Sequence, residues 1–183
     1  LFCNLESLVT PYLETLCESL AQVLLANKLC MATAESCTGG LIAASCTQLS
    51  GSSAWFERGF VTYSNAAKSE LLGVPSFLID KQGAVSEEVA KAMALGALIN
   101  SPACISVAVT GIAGPTGGSE AKPVGTVWLA WAWRDSKQVL HSETLLRQFE
   151  GTRSEVRDAT AELALAHLTE LVEKLVGKLL ETT

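Results

Sequence analysis

The sequence predicts an α/β fold: a three-layer α/β/α sandwich with a mixed, mostly parallel sheet. Short apolar or β-branched segments, typical of strands, alternate with segments that carry apolar residues at three- and four-residue spacing, typical of helices. Near the carboxyl end two strand-like segments follow each other directly, which adds antiparallel pairing to the sheet. The chain has 183 residues, the length of one domain, so we expect residues 1–183 to form a single domain.

The first helix, the first strand and the second helix come from the first 48 residues. Aliphatic residues at helical spacing predict a helix over 5–24, and Asn27 ends it. Its predicted core face consists of Leu5, Leu8, Val9, Leu13, Leu16, Leu20, Val23 and Leu24. A short apolar segment predicts a strand over 29–34, and residues 41–48 form the next helix. The turn between them has the sequence ESCTGG.

The middle of the chain contains one further strand and two helices. Aromatic and β-branched residues predict a strand over 55–63. Asn65 can cap a helix that extends through Leu72, and the glycine and proline that follow end it. Ser86 precedes an alanine-rich helix whose acidic first turn suits the helix dipole, and this helix ends near Asn100.

The last third contains a buried strand, a hairpin and a closing helix. Residues 104–109 are almost uniformly apolar, which is typical of a strand covered on both faces, and a glycine-rich loop follows. Residues 124–133 and 138–149 predict two antiparallel strands joined by a turn. Apolar residues at helical spacing, among them Val156 and Leu179, predict a long helix that begins near Thr152.

Composition argues against several function classes. The net charge of −6 gives no attraction to phosphate backbones, so we expect no nucleic-acid partner. No segment approaches the roughly 18 apolar residues of a membrane span, so we expect no membrane association. The six cysteines form no CxxC pair and no cluster with histidine, so we expect no metal site and free thiols in a cytoplasmic protein. The start at Leu1 resembles a trimmed start more than a secretion signal.

The turn at Ser36 is the first candidate site. A nucleophile between a strand and a helix N-terminus is exposed at the sheet edge, and the free amides of that helix can stabilise an oxyanion. The local pattern alone favours a simpler interpretation, in which Ser36 or Thr38 caps the helix. Cys37 is a competing nucleophile because a helix N-terminus lowers the pKa of a thiol, although a small buried residue is the simpler interpretation here too.

Tyr63 and Lys68 form the second candidate site. If Tyr63 ends a strand and Lys68 lies one turn into the next helix, both side chains can reach the same cleft. A desolvated lysine has a lowered pKa and can take a proton from serine, and a tyrosine can relay that proton. Without further context, an exposed lysine and a half-buried tyrosine are the simpler interpretation. His141 and His167 lie far from the turn in sequence, which gives a Ser/His/Asp triad little support.

Two more segments could bind an anion. The loop over 110–122 follows a buried strand, and its glycines allow backbone amides to converge on a ligand, although it lacks the P-loop and dinucleotide patterns. A flexible surface loop is an equal alternative. The loop residues of interest are Thr110, Gly111, Gly114, Gly117 and Gly118. Arg153, at the start of the closing helix, could bind a phosphate. The alternative is that Arg153 is exposed and forms an ion pair with Glu155 or Asp158.

Five blocks of sequence stand in order along the chain: AESCTGG at 34–40, GSSAWFERGFVTYSN at 51–65, GAVS at 83–86, VTGIAGP at 109–115 and KPVGTV at 122–127. Together with the helices between them they cover nearly all of the chain after about Leu24. In sequence and in order they resemble the CinA C-terminal family. The resemblance implies an α/β/α domain with a mixed sheet. It also implies, for the active members, an amidase that converts nicotinamide mononucleotide to nicotinate mononucleotide and ammonia.

The resemblance also implies roles for single residues. It makes Ser36 the nucleophile and associates Tyr63 and Lys68 with it. Some relatives have lost the amidase site, but this sequence keeps all three residues, so we expect activity on a small-molecule nucleotide without a cofactor. Longer relatives carry an additional N-terminal domain that resembles molybdopterin-binding proteins, and we transfer none of its properties to this chain.

The expected mechanism is a serine acyl-enzyme, with neutral Lys68, assisted by Tyr63, as the base for Ser36. We expect amides near Thr38 and Gly39 to hold the oxyanion, and the 110–118 loop with Arg153 to hold ribose and phosphate. The remaining residues predicted to bind substrate are Glu35 and Gly40.

Two alternatives to the serine amidase remain open: a catalytically silent nucleotide-binding or regulatory module, and a cysteine hydrolase that uses Cys37. The competence and DNA-damage associations of the family name are the background of the regulatory alternative. We also expect a homo-oligomer. Its interface could involve the first helix or the surface around Trp128, Trp131 and Trp133, although the alternation of these tryptophans fits an ordinary strand equally well.

Overall fold

A computed structural model describes residues 10–180. In this part of the chain five strands alternate with six α-helices and one short 3₁₀ helix, Ser52–Ala54. The predicted helix positions Leu5, Leu8 and Val9 lie outside the described residues, as does Cys3. The elements are α1 (Pro11–Ala26), β1 (Met31–Glu35), α2 (Leu41–Gln48), β2 (Phe56–Val61), α3 (Asn65–Leu72), α4 (Ser76–Gln82), α5 (Glu87–Ile99), β3 (Ile105–Gly111), β4 (Thr126–Arg134), β5 (Leu140–Gln148) and α6 (Arg153–Leu180).

The strands form one mixed sheet in the order β2-β1-β3-β4-β5. β1 pairs in parallel with both β2 and β3, whereas β4 is antiparallel to β3 and β5. All strands except β4 therefore run in one direction, which confirms the predicted mixed, mostly parallel sheet. Glu35 at the end of β1 lies opposite Val61 on β2 and Val109 on β3, so the three parallel strands end at one edge and their following segments meet there.

Helices cover both faces of the sheet, as the three-layer prediction requires. α1, α2 and α6 pack on the face that presents large side chains such as Met31, Leu129 and Trp131. α5, with α3 and α4, covers the other face, where the central strands present mainly alanine. Alternation along β1 sends Met31 to the first face and Ala32 to the second, because successive strand residues point to opposite sides.

α6 is the longest helix and closes the first face of the sheet. Val156, Leu165, Leu168 and Val172 recur on its buried side, and Trp131 Nε1 donates a hydrogen bond to the Ala164 carbonyl at 3.1 Å. Neither α6 nor any other helix within residues 10–180 has both the length and the apolar character to cross a membrane.

Three differences from the sequence prediction concern the middle of the chain. α4 was not predicted, because Gly73 and Pro75 indicated only the end of the preceding helix. α3 is capped by Ser64, whose hydroxyl accepts a hydrogen bond from the Ala67 N–H, so the predicted cap at Asn65 is wrong by one residue. β2 ends at Val61 rather than at residue 63, which leaves residues 62 and 63 as a non-strand connection to α3.

Candidate active site

The turn with the predicted nucleophile joins β1 to α2 at the shared edge of the parallel strands. The Ser36 N–H donates to the Val109 carbonyl at 3.0 Å, which fixes the turn to β3. The Gly39 N–H then donates to the Ser36 carbonyl at 3.1 Å. Gly39 and Gly40 have φ angles of 63° and 97°, a conformation that side chains rarely adopt. The glycines thus allow the chain to reverse immediately after Ser36.

Glu35 fixes the start of α2 and is fully buried. One of its oxygens accepts hydrogen bonds from the Thr38 hydroxyl at 2.7 Å and from the N–H groups of Gly40 and Ile42 at 3.0 Å. The other oxygen accepts from the Ala43 N–H at 2.8 Å. This carboxylate therefore supplies the missing acceptors at the helix N-terminus, where a negative charge is favoured.

The prediction that Glu35 binds substrate does not fit this geometry, because both oxygens are engaged inside the protein. The cap prediction for Ser36 or Thr38 is also wrong: the residue before α2 is Gly40, and no local side chain caps the helix. The local pattern indicates a cap within the turn, because a carboxylate that reaches from the preceding strand past the whole turn leaves no local signature.

Thr38 is completely buried and does not reach the pocket beside Ser36. Its carbonyl accepts two hydrogen bonds from the Arg157 guanidinium, from Nη2 at 2.7 Å and from Nε at 3.2 Å. Arg157 is a site residue that the sequence prediction did not include. Its position one helical turn beyond Arg153 places both arginines on the same side of α6, and this spacing could have indicated it.

Lys68 extends from α3 beneath the Ser36 turn and is 1% exposed. Its Nζ lies 3.0 Å from Ser36 Oγ, 2.9 Å from the Thr62 carbonyl and 3.4 Å from the Tyr63 carbonyl. No carboxylate of the described chain forms a salt bridge with it. Burial removes the ammonium form from water and thereby lowers the pKa of Lys68.

Tyr63 lies at the mouth of the site with a 62% exposed side chain. Its hydroxyl accepts a hydrogen bond from Arg153 Nη2 at 3.1 Å, and Arg153 Nη1 donates to the Gly114 carbonyl at 2.8 Å. Lys68 therefore contacts Tyr63 through the backbone carbonyl, not through the phenol. The alternative in which Arg153 only pairs with a neighbouring acid of its own helix does not fit these contacts.

These side chains surround one pocket of about 200 Å³ at the sheet edge. Its walls include six of the predicted site residues: Ser36, Tyr63, Lys68, Thr110, Gly111 and Arg153. Cys37, Asn65, Ala84, Val85 and Ala113 complete the lining. Cys37 was considered as a competing nucleophile and Asn65 as a helix cap. The other three residues had no predicted role of their own, although Ala84 and Val85 belong to the GAVS block and Ala113 to the VTGIAGP block. The structure therefore brings the turn, the Lys68 segment and the start of the glycine-rich loop together.

Other predicted residues lie outside the lining of this pocket. Gly117 and Gly118 are exposed on the loop, and the Gly114 carbonyl serves as an acceptor for Arg153. Thr110 does line the pocket, but its hydroxyl donates to the Ala84 carbonyl at 2.8 Å and so connects β3 to the segment before α5. Most of the glycine-rich loop thus lies outside the pocket lining. Gly39 and Gly40 likewise shape the turn without lining the pocket.

Cys37 lines the pocket but is only 5% exposed. Burial is the main reason that the pKa of its thiol rises to about 11, and the charge of Glu35 acts in the same direction. Backbone N–H groups of Cys37 and Thr38 oppose this shift. The thiol is consequently protonated at neutral pH, which argues against Cys37 as the nucleophile.

The two histidines do not take part in this site. His141 on β5 bonds to Asp135, and His167 on α6 contacts Glu143, so both face away from the pocket lining. Within residues 10–180, no group of three histidine, cysteine or acidic side chains is placed to hold a metal ion.

Comparison with known proteins gives concordant matches. The CinA C-terminal domain family matches residues 13–172. Nicotinamide-nucleotide amidohydrolase PncC of Pseudomonas putida is 56% identical over 139 residues, which are 76% of this chain and 84% of that protein. The protein of the same name from Escherichia coli (strain K12) is 48% identical over 156 residues, 85% and 92% of the two chains. The crystal structure of competence/damage inducible protein CihA from Agrobacterium tumefaciens superposes with a TM-score of 0.82 at 44% identity, covering 91% of this chain and 99% of that one.

Proposed function

The chain belongs to the CinA C-terminal domain family, and we propose that it is an amidohydrolase that converts nicotinamide mononucleotide to nicotinate mononucleotide and ammonia. The proposal is supported by the amidohydrolases to which the chain is 48% and 56% identical. The observation that carries it is the 3.0 Å separation of Lys68 Nζ and Ser36 Oγ in a pocket at the sheet edge. A buried amine beside a hydroxyl is the arrangement that activates a serine without histidine.

We propose that Lys68 acts as a neutral amine. A neutral amine has two N–H donors and one lone pair. The carbonyls of Thr62 and Tyr63, at 2.9 Å and 3.4 Å, can take the two donors, which directs the lone pair toward the Ser36 hydroxyl. The lowered pKa of Lys68 makes this neutral form accessible nearer to neutral pH.

Hydrolysis then proceeds in two steps. Ser36 Oγ attacks the carboxamide carbon while its proton passes to Lys68. When the C–N bond breaks, Lys68 returns this proton to the nitrogen, and ammonia leaves. Water next attacks the acyl ester with Lys68 again as base, the ester C–O bond breaks, and Ser36 regains its proton. The product carries a carboxylate where the substrate had an amide.

The oxyanion needs hydrogen-bond donors beside Ser36. The N–H groups of Cys37 and Thr38 follow the nucleophile directly, and among the described residues neither donates to a backbone carbonyl. We assign the oxyanion site to these two amides. Gly39, expected to share this role, instead donates its N–H to the Ser36 carbonyl.

The ribose and phosphate need polar groups further out in the pocket. Arg153 lies in the lining and uses one N–H on Gly114 and one on Tyr63, which leaves guanidinium donors for a phosphate. Thr110 and Gly111, at the end of β3, line the same pocket, and we assign the ribose to them. Tyr63 has a positioning role in this arrangement, because its phenol orients Arg153.

Ammonia release from nicotinamide mononucleotide tests the proposal. Wild type and Cys37→Ser should both release ammonia, and Ser36→Ala should lose at least about 10³-fold in kcat. Full activity in Ser36→Ala would remove Ser36 from the mechanism. Loss of activity in Cys37→Ser together with inactivation by thiol alkylation would favour the cysteine hydrolase. Binding of the nucleotide by wild type without turnover would favour the silent regulatory module.

We further propose that residues 1–183 act as one catalytic domain that recycles pyridine nucleotides in the cytoplasm, and that this domain forms a homo-oligomer. The five described cysteines are free thiols, which suits a reducing compartment. Trp131 is fully buried in its own chain, so it offers no interface surface. Tyr12 and Leu25 on α1, 57% and 49% exposed, are better candidates. Sedimentation velocity of wild type and of Tyr12→Glu tests the assembly, which should dissociate in the variant.

A further inference from the structure

Two cysteines lie side by side at the end of the sheet opposite to Ser36. Cys30 immediately precedes β1, and Cys104 immediately precedes β3. The first paired residues of these parallel strands are Met31 and Ile105, so the two cysteines face each other across the ladder. The Cys104 N–H donates to the Cys30 carbonyl at 3.1 Å, which continues the pairing to this position. Adjacent strands are about 4.8 Å apart, a spacing that a disulfide can bridge.

The sulfur positions agree with this pairing. Cys104 Sγ lies 3.3 Å from the Cys30 nitrogen and 3.1 Å from the Cys30 carbonyl oxygen. Cys30 Sγ lies 3.8 Å from the carbonyl of Pro102 on the solvent side. Both residues are partly exposed, and Cys104 also lines an apolar pocket of about 230 Å³. A small molecule can therefore reach this pair.

A second pair of thiols provides an internal comparison. Cys17 on α1 and Cys46 on α2 are both completely buried in the core. A hydrogen bond between these thiols and burial raise the pKa of Cys46 well above its ordinary value. The two pairs of neighbouring thiols thus differ in access to solvent.

We propose that Cys30 and Cys104 are a modification site, at which a low-molecular-weight disulfide such as glutathione disulfide oxidises the two thiols to a reversible disulfide. The Cys30 thiolate attacks one glutathione sulfur, forming a mixed disulfide while the other glutathione leaves as thiolate. The Cys104 thiolate then attacks Cys30 Sγ, the mixed disulfide breaks, and the second glutathione leaves. Two protein thiols are oxidised, one glutathione disulfide is reduced, and the two thiol protons pass to the two glutathione molecules.

We assign Cys30 as the first attacking group because its sulfur contacts the Pro102 carbonyl in an exposed position, whereas the Cys104 sulfur lies against the Cys30 backbone. Burial raises the pKa of Cys104, so little of this thiol is ionised at neutral pH and the second step should accelerate as pH rises. The cross-link joins two neighbouring strands that are already paired, and the catalytic pocket lies at their other ends. We therefore expect the cross-linked protein to keep its ammonia-releasing activity and to melt at a higher temperature.

The experiment treats the native, fully reduced protein with glutathione disulfide and follows it by intact-mass spectrometry and peptide mapping. Wild type should lose the mass of two hydrogen atoms, with Cys30 and Cys104 in one cross-linked peptide, and a reducing agent should restore the original mass. Cys104→Ser should stop at a glutathione adduct on Cys30. Cys46→Ala, in the buried pair, should behave like wild type.

Three results would overturn the proposal. The first is native wild-type protein that stays unmodified while its denatured form reacts. The second is a disulfide that maps to any other pair, including one with Cys3. The third is a stable adduct on Cys30 in wild type without closure. The melting temperature of each species shows that the protein examined is folded, so a variant that fails to fold cannot imitate any of these results.

Discussion

Lys68 determines the pH at which the Ser36 hydroxyl can be activated. Its burial without a carboxylate partner lowers its pKa, and only the neutral amine can accept the serine proton. The fraction of enzyme with a neutral Lys68 therefore increases as pH rises through this lowered pKa and decreases at lower pH. We expect kcat/KM for ammonia release to show an acidic limb that reports this titration.

Replacement of Lys68 by arginine tests this assignment. A guanidinium stays protonated at every accessible pH, so Lys68→Arg should lose about 10²–10⁴-fold in kcat and should not recover at alkaline pH. Lys91→Arg, on the exposed side of α5, is the matched control and should keep the wild-type profile. An acidic limb that persists unchanged in an active Lys68→Arg enzyme would assign the titration to another group.

The residue types of the site were predictable, whereas their contacts were not. The ESCTGG turn and the lysine after the second strand indicated Ser36 and Lys68. The hydrogen bond between Tyr63 and Arg153 could not be predicted from the sequence, because 90 residues separate them and the contact depends on how α6 returns to the sheet edge. The phenol was expected beside the lysine, and only its backbone carbonyl lies there.

At the scale of elements, α2 depends on Glu35 for its N-terminal acceptors. Glu35→Ala would leave the Thr38 hydroxyl and three backbone amides without an acceptor, and each buried donor without a partner costs about 1–3 kcal/mol. We expect the free energy of unfolding to fall by at least about 3 kcal/mol, measured by urea denaturation. Glu88→Ala, exposed in the first turn of α5, should change it by less than about 0.5 kcal/mol. Equal stability of the two variants would contradict the role of Glu35.

The contact between α3 and α5 depends on the absence of a side chain at position 96. A Cβ on Gly96 would lie 2.1 Å from the Leu72 carbonyl oxygen, so α5 could not approach the end of α3 as closely. We expect Gly96→Ala to destabilise the fold by about 1–3 kcal/mol. Gly177→Ala in α6, where a Cβ meets nothing within 4 Å, should instead stabilise it by about 0.5–1 kcal/mol. Thermal unfolding of both variants checks the difference, and a Gly96→Ala variant as stable as Gly177→Ala would show that α5 can shift without cost.

Most elements were predictable because their patterns are local. The periodic helices α1, α5 and α6 and the hairpin of β4 and β5 follow from apolar spacing and turn residues. α4 was missed because it is one short, weakly periodic stretch, SFLIDKQ, directly after a proline. The end of β2 was placed two residues late because Thr62 and Tyr63 favour strands, whereas here their carbonyls turn toward Lys68.

At the scale of the whole molecule, the active site is assembled from distant parts of the chain. The parallel strands bring the segments after Glu35, Val61 and Val109 to one edge, and Arg153 at the N-terminus of α6 lines the pocket there. A sequence pattern predicts that such segments follow strands, but the register between strands decides which side chains meet. Here the resemblance to known sequences indicated which side chains meet, because it assigns the separate sequence blocks to one site. The spacing of residues within each block does not show this.

Arg157 is the clearest case of long-range support, because it holds the Thr38 carbonyl across 119 residues of sequence. The N–H of Thr38 belongs to the proposed oxyanion site. The Arg157 guanidinium therefore positions a donor that acts on the reacting carbonyl, although Arg157 itself does not touch the substrate. We expect Arg157→Lys to lower kcat by roughly tenfold or more with little change in KM, because a lysine cannot form both hydrogen bonds. Arg147→Lys, exposed on β5, should change neither parameter. If Arg157→Lys lowered only the melting temperature and left kcat intact, Arg157 would stabilise the fold without positioning the oxyanion donors.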